Sequence, residues 1–392
     1  MSKTFILGPC AAESREQVLE IAESLTAQRS YSTQCGPTAQ RSFSDSGLSG
    51  EASLIFRAGI WKPRTSPSSF QGVGEAGLPW LQEVQERYHL PVALEVATPD
   101  HVQAIFQRSG LTAQRSFSGS GLPAEGGLYL WLGARTSANP IAVQAIADAL
   151  TSLPYEGKAG IGSVLIKNPV NEDVNLWIGN VERLQAAGVK VMAVHRGCNH
   201  QPCWSMAFEF RRRMPNVPLL LDPSHMSGDA AQVPALCQLA MDLDYDGLMI
   251  EVHNDPAHAL SDAQQQITPA HALDIIKNLK YRTAQRSYST QCDPSAQRSF
   301  SDSGLLELRS EIDEVDDRLW SLIAKRLEIA KRIGAYKKEH NLPVLQPARY
   351  NDILLRRLEW AKKNGIPQDT VQSIMEALHS ASVQEQVTPP LS

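Results

Sequence analysis

The chain has 392 residues, 42% of them apolar, with 37 Lys and Arg against 42 Asp and Glu and a formal net charge of −5. That length fits two domains, or one large barrel with a small partner, and the acidic balance argues against nucleic acid or an anionic membrane surface as a partner. No apolar run reaches the ~20 residues of a membrane span, "MSKTFILGPCAAES" does not read as a signal peptide, and six cysteines without disulfide-like spacing suit a reducing cytoplasm.

Eight short apolar runs follow one another over the first 280 residues: "TFILGPC", "LIFRAGIWK", "PVALEVA", "LYLWLGA", "SVLIKNP", "VKVMAVHRG", "PLLLDPSH" and "GLMIEVH". Each is continuous rather than alternating, as strands buried on both faces are. Amphipathic stretches such as "REQVLEIAESL", "NPIAVQAIADAL" and "PAHALDIIKNLK" lie between and after them. Eight strands alternating with eight helices predict a closed (β/α)8 TIM barrel over residues 1–281. No Gly-rich fingerprint follows the first strand, which weighs against a dinucleotide fold.

A polar repeat interrupts this pattern. "TAQRSYSTQCGPTAQRSFSDSG" begins at Thr26 and returns at Thr283, and residues 26–48 and 283–305 agree at 21 of 23 positions, differing at Gly36/Asp293 and Thr38/Ser295. A shorter copy begins at Thr112. Without apolar periodicity, the segments 26–49 and 112–127 read as insertions and 282–304 as a repeat-derived linker. The first two fall between a helix and the next strand and the third follows helix eight, which puts all three on the barrel's N-terminal face, whereas barrel chemistry occupies the opposite face. Deletion of residues 26–48 is expected to leave the barrel's activity nearly intact.

Charged residues gather where the predicted strands end. Lys62, Arg64, Arg135, Lys167 and Arg196 would repel one another around an empty rim, so they predict an anionic ligand with more than one phosphate or carboxylate. Cys10, His225, Glu251 and Asp262 end or follow strands one, seven and eight, which are neighbours in a closed barrel. Thiol, imidazole and carboxylates together suit a divalent metal, with Mn²⁺, Fe²⁺, Co²⁺ and Zn²⁺ all open.

From Leu305 to the end the texture is all-α. Apolar positions at 305, 308, 312, 315, 319, 322, 329, 333 and 336 form the seam of a helix bundle, interrupted by Arg326. A cation in an apolar seam is costly unless an anion meets it. The final helix carries Val371, Ile374 and Leu378, then Ser382 and Gln386 on the same stripe.

At "GPCAAES", "RAGIWKPRTSPSSFQG", "WLGARTS", "VHRG", "DPSH" and "EVHNDPAHALSDAQQQ" the chain resembles the type Iβ 3-deoxy-7-phosphoheptulonate (DAHP) synthases. The resemblance implies condensation of phosphoenolpyruvate with erythrose 4-phosphate. It implies a metal on Cys10, His225, Glu251 and Asp262, phosphoenolpyruvate on Lys62, Arg135, Lys167 and Arg196, and erythrose 4-phosphate on Arg64 and Thr65. Ser68 stands where that family often has Tyr. "LLELRSEIDEVDDRLWSLIAKRLEIAKRIGAYKKEHNLPV" is similar to the all-helical AroQ-type chorismate mutases, a resemblance over about residues 305–386 within a helical domain expected at 305–392. That resemblance implies a homodimer through the mutase helices and chorismate bound by Arg309 (across the dimer), Arg326, Lys337, Arg349, Ser382 and Gln386. Gln346 and Tyr350 replace a commonly acidic residue near the substrate hydroxyl. The expectation is a cytoplasmic bifunctional enzyme of the shikimate pathway, with prephenate as feedback effector. Two other readings make the helical tail a regulatory binding module or give the barrel another aldose.

Overall fold

In the computed structural model the described residues are 3–27, 53–63, 66, 68–108, 111, 127–154, 157, 160–281, 303–344 and 346–387. Arg64, Thr65 and almost all of the three repeat segments lie outside them. The chain divides into two compact units, residues 1–285 and 286–392.

The first unit is a closed parallel barrel of eight strands in sequence order. They are β1 (Thr4–Gly8), β2 (Ser53–Ala58), β3 (Val92–Glu95), β4 (Leu128–Leu132), β5 (Ile161–Lys167), β6 (Val191–His195), β7 (Leu219–Leu221) and β8 (Gly247–Glu251). β1 pairs with β8, Gly8 opposite Glu251, and this pairing closes the ring. The continuous apolarity of each run reflects burial on both faces. Ile6, Ile55, Ala93, Trp131, Leu165, Val194, Leu220 and Met249 form one core cluster. Their strand neighbours Phe5, Leu7, Leu54 and Phe56 belong to a second, larger cluster shared with the helices. The two clusters are the inside and outside of the barrel wall, separated by the two-residue period of a strand.

Helices cover the outer wall: α1 (Arg15–Ala27), α2 (Leu78–Tyr88), α3 (Pro99–Arg108), the short α4 (Ala134–Ser137), α5 (Pro140–Thr151), α6 (Val174–Ala186), α7 (Trp204–Arg213), the short α8 (Pro223–Ser227), α9 (Val233–Asp242) and α10 (Pro269–Asn278). Their starts are written in the sequence. Asn139 caps α5, accepting from Ile141 and Ala142 N–H, and Pro140 occupies the first turn where no donor is lost. Asp173 caps α6 and Thr268 caps α10 in the same way.

The second unit contains α11 (Ser303–Glu339), α12 (Pro347–Lys363) and α13 (Gln368–Val387). At 37 residues, α11 is about 55 Å long. The predicted seam has an unexpected setting. Leu305, Leu308, Ile312, Val315, Leu319 and Leu322 are all exposed, Ile312 at 60%. Helix α13 packs on α11, yet Ile329 and Ile333 remain nearly half exposed too. Among the described residues, α12 and α13 leave this stretch of the stripe uncovered.

Candidate active sites

The C-terminal rim of the barrel brings the candidate metal ligands together in two touching couples. Cys10, fully buried two residues past β1, donates its thiol to Asp262 Oδ2 at 2.9 Å and accepts from Ser261 Oγ at 3.0 Å. Its backbone N–H is held by Gln266 Oε1 at 3.1 Å. Across the rim, His225 Nε2 stands 3.6 Å from Glu251 Oε1, the last residue of β8. His225 is positioned by Asp222, which caps α8 by accepting the His225 N–H at 3.0 Å and lies 2.9 Å from Nδ1. Among the described residues no three such side chains form a ready-made metal cluster. The chain's own donors explain this: Arg57 and Gln265 occupy the two Glu251 oxygens at 3.0 and 2.7 Å.

The predicted cations are less naked than the sequence suggests. Lys62 donates to Glu95 Oε2 at 3.3 Å and to the Cys10 carbonyl at 3.0 Å. Lys167 pairs with Asp222 Oδ2 at 2.7 Å. Arg135 is exposed and reaches the Pro63 carbonyl at 3.2 Å. Arg196, half-buried, donates to the Gly197 carbonyl at 3.3 Å, and its backbone N–H is held by Asn168 Oδ1 at 2.7 Å.

Sequence reasoning missed Arg57, the cation nearest the centre. It lies on β2 two residues after Ile55, so it points into the barrel interior, 1% exposed, over the Trp131 ring at 4.9 Å. A charge inside the apolar run "LIFRAG", in phase with an inward residue, was the available signal. His195, the last residue of β6, is fully buried between the wall and the helices, bonded to Tyr245 OH at 2.9 Å.

Burial and charge set the protonation. Burial pushes the Cys10 thiol well up, and Glu251 and Asp262 push the same way against Lys62. Burial would also raise Asp222 and Glu251. In Asp222 the neighbouring His225 and Lys167 outweigh it, and in Glu251 His225 and Arg57 do, so both stay ionised. Lys62 loses to burial but gains more from Cys10, Glu95 and Glu251, so its pKa rises.

In the helical unit a second polar group forms between α11 and α13. Arg326 donates to the Leu378 carbonyl at 2.9 Å and to Ser382 Oγ. Lys337 donates to Gln386 Oε1 at 3.1 Å and to the Val344 carbonyl at 2.8 Å. Gly334 lets the helices meet there, because a Cβ would stand 2.7 Å from Gln386 Cα. Arg349, on α12, is exposed and pairs with Asp352 at 3.0 Å. Arg309 is exposed and lies 17 residues before Arg326 on one helix, about 25 Å away, so it does not join this group within one chain. Tyr350 stacks on His379, centroids 4.1 Å apart.

With that geometry in hand, the chain was compared with known proteins. The family model described as "DAHP synthetase I family" matches residues 2–109 and 157–285, and "Chorismate mutase type II" matches residues 308–387. A phospho-2-dehydro-3-deoxyheptonate aldolase of Thermotoga maritima is 26% identical over 286 residues, 71% of this chain and 69% of the relative. The T-protein of Haemophilus influenzae is 44% identical over 72 residues, 18% of this chain, which spans only 19% of that relative. The crystal structure of the Thermotoga maritima DAHP synthase superposes with a TM-score of 0.52 at 24% identity, covering 70% of this chain and 68% of that one, a likeness of fold.

Proposed function

The chain belongs to the DAHP synthetase I family, and from that premise we propose how its residues divide the chemistry. It fuses a DAHP synthase to a C-terminal type II chorismate mutase. The first condenses phosphoenolpyruvate with erythrose 4-phosphate to DAHP and phosphate, and the second rearranges chorismate to prephenate, both in aromatic biosynthesis.

One observation supports the assignment of the barrel site above others: a thiol–carboxylate couple, Cys10 with Asp262, and an imidazole–carboxylate couple, His225 with Glu251, stand on one rim with Lys62 and Lys167. A divalent cation fits this donor set. The Cys10 thiol holds its proton because it is buried and because Glu251 and Asp262 add negative charge beside it, and a cation would take the proton's place. Cys10, His225, Glu251 and Asp262 would hold the ion, one of Mn²⁺, Fe²⁺, Co²⁺ or Zn²⁺, which supplies Lewis acidity to the aldehyde oxygen.

The chain's own residues bind and orient. Lys62, Arg135, Lys167 and Arg196 hold the phosphate and carboxylate of phosphoenolpyruvate, and Arg64 and Thr65 take the phosphate of erythrose 4-phosphate. Arg57 keeps Glu251 ionised from within the barrel. Two anions held in line by fixed cations turn a bimolecular addition into an intramolecular one.

For the mutase, Arg326, Lys337, Ser382 and Gln386 present converging donors and acceptors. A pericyclic step needs no nucleophile, only donors aimed at the oxygen that gains charge. Lys337 and Gln386 serve the ether oxygen, and Arg326, Arg349 and Ser382 the carboxylates. Arg309 of the partner subunit completes the site in a homodimer that covers the exposed seam. Prephenate is the proposed feedback effector. No helix among the described residues is long and apolar enough to cross a membrane, and the described cysteines are free thiols, in keeping with the cytoplasm.

The test is phosphoenolpyruvate consumption with erythrose 4-phosphate, before and after chelation and on adding back Mn²⁺. Loss on chelation, recovery with Mn²⁺ and no recovery in Cys10→Ala are expected. Chelator-resistant turnover would refute the metal assignment.

A further inference from the structure

One short segment after β8 serves three of the four residues assigned to the metal, Cys10, Glu251 and Asp262. It is moored at its far end, where Ile267 lies beside Val252 as a parallel bridge. Ile267 N–H donates to the Glu251 carbonyl at 3.1 Å, and His253 N–H donates to the Ile267 carbonyl at 2.9 Å. Between these moorings Asp262 turns the chain at φ 52°, in the left-handed region, and Gln265 N–H returns to the Asp262 carbonyl at 3.2 Å. Ser261, Gln265, Gln266 and Ile267 are all buried.

A buried hydroxyl or amide is costly unless bonded, so the partners of these side chains matter. Ser261 Oγ stands 3.0 Å from the Cys10 sulfur and 2.7 Å from Asp262 Oδ2. Gln266 ties backbone to backbone: its Oε1 accepts the Cys10 N–H at 3.1 Å, and its Nε2 donates to the Ser261 carbonyl at 2.7 Å. Gln265 alone of the two glutamines reaches a ligand's own carboxylate, donating to Glu251 Oε2 at 2.7 Å. The other oxygen of Glu251, Oε1, takes Arg57 Nη2 at 3.0 Å and stands 3.6 Å from His225 Nε2. The Glu251 carboxylate is therefore fixed by both oxygens, with Oε1 presented to the imidazole.

We propose that Gln265 and Ser261 are positioning residues for the divalent cation, each acting on a different ligand. Gln265 pins Glu251 by Oε2, so that this carboxylate meets the ion through Oε1, and Ser261 holds the Cys10 sulfur. The proposal rests on the assignment of Cys10, His225, Glu251 and Asp262 to the metal. Donors that orient a ligating group before the ion arrives typically contribute about ten- to a hundredfold in metal affinity. Gln265→Met keeps the length of the side chain and donates nothing, which frees Glu251 Oε2 to turn towards the ion. Ser261→Ala removes the donor at the sulfur and leaves Glu251 as it is.

The test titrates the metal-stripped full chain with Mn²⁺, reading the free ion by electron paramagnetic resonance, and with Co²⁺, reading absorption. The thiolate-to-cobalt charge-transfer band reports the sulfur, and the d–d bands report the number and arrangement of ligands. Gln265→Met should raise the Mn²⁺ Kd about tenfold or more, change the d–d bands and keep the charge-transfer band. Ser261→Ala should shift the charge-transfer band instead. Gln265→Asn, an amide one methylene too short to reach Glu251, should behave as Gln265→Met and gives the same reading if methionine impairs folding, which thermal melting of the metal-free chains detects. Folded Gln265 variants that bind Mn²⁺ as tightly as the wild type, or whose Co²⁺ spectrum matches it, overturn the proposal and leave the metal assignment standing. A wild type that binds neither ion overturns both.

Discussion

His195 gives the sharpest test of the packing. Its ring is fully buried, 5.6 Å from Trp204, 6.3 Å from Trp177 and 6.1 Å from Tyr245 between centroids. Burial pushes its pKa down to about 3, the nearby Arg196 adds to this, and the Pro202 backbone and Asp222 oppose it without winning. The folded state therefore prefers the neutral ring, while the unfolded chain takes up a proton near pH 6.5. The stabilisation is fully present above pH 6.5 and is lost as the pH falls from there towards 3. At pH 5 the unfolded state gains 1.5 pH units' worth of protonation, about 2 kcal/mol at ~1.4 kcal/mol per unit. His195→Gln keeps an acceptor for Tyr245 and cannot titrate. Equilibrium urea unfolding at pH 7.5 and pH 5, followed by tryptophan fluorescence, should show the wild type losing about 2 kcal/mol more than the variant. If the two lose the same amount to within about 0.5 kcal/mol, His195 is not held neutral by this cage and the reasoning fails.

Arg57→Met should destabilise the barrel by about 3–5 kcal/mol, because it strands a buried Glu251, and phosphoenolpyruvate turnover should fall with it. Thermal unfolding and the consumption assay read both. Gly334→Ala should push Gln386 away and cut chorismate turnover at least tenfold while leaving phosphoenolpyruvate consumption unchanged. On the proposed homodimer, Ile312→Asp with Leu319→Asp should abolish dimers in sedimentation and chorismate turnover together, since both would depend on the exposed stripe.

The barrel was legible because its strands, buried on both sides, are continuous apolar runs separated by capped helices, a local signal repeated eight times. The pairing of the rim was not. Lys62 and Glu95 are 33 residues apart and Lys167 and Asp222 are 55 apart. Residue type alone shows five cations seeking an anion; only the closed ring shows that carboxylates of the same chain already meet two of them. The helical stripe shows the opposite limit. Its 3-4 spacing marks one apolar face, but period says nothing about what supplies the cover, and along Leu305–Leu322 none of the described residues buries it.

That pairing changes how an anion would be captured. Arg57, Lys62 and Lys167 are matched one to one by Glu251, Glu95 and Asp222, all buried. Their field at a distance is largely cancelled, so on the proposed assignment they would fix donor positions once the ligand has lost its water. Among the described residues, Arg135 and Arg196 meet backbone carbonyls instead of carboxylates, so on the proposed assignment they would contribute to the attraction that an approaching dianion feels. Arg135 is exposed and its field is screened within a Debye length of about 8 Å at physiological salt, whereas the buried lysines are shielded from salt. On the proposed assignment, capture and grip would thus be carried by different residues. Added salt should therefore raise the phosphoenolpyruvate KM through Arg135 while leaving kcat nearly level, and in Arg135→Ala the KM should be higher at low salt and respond less to added salt.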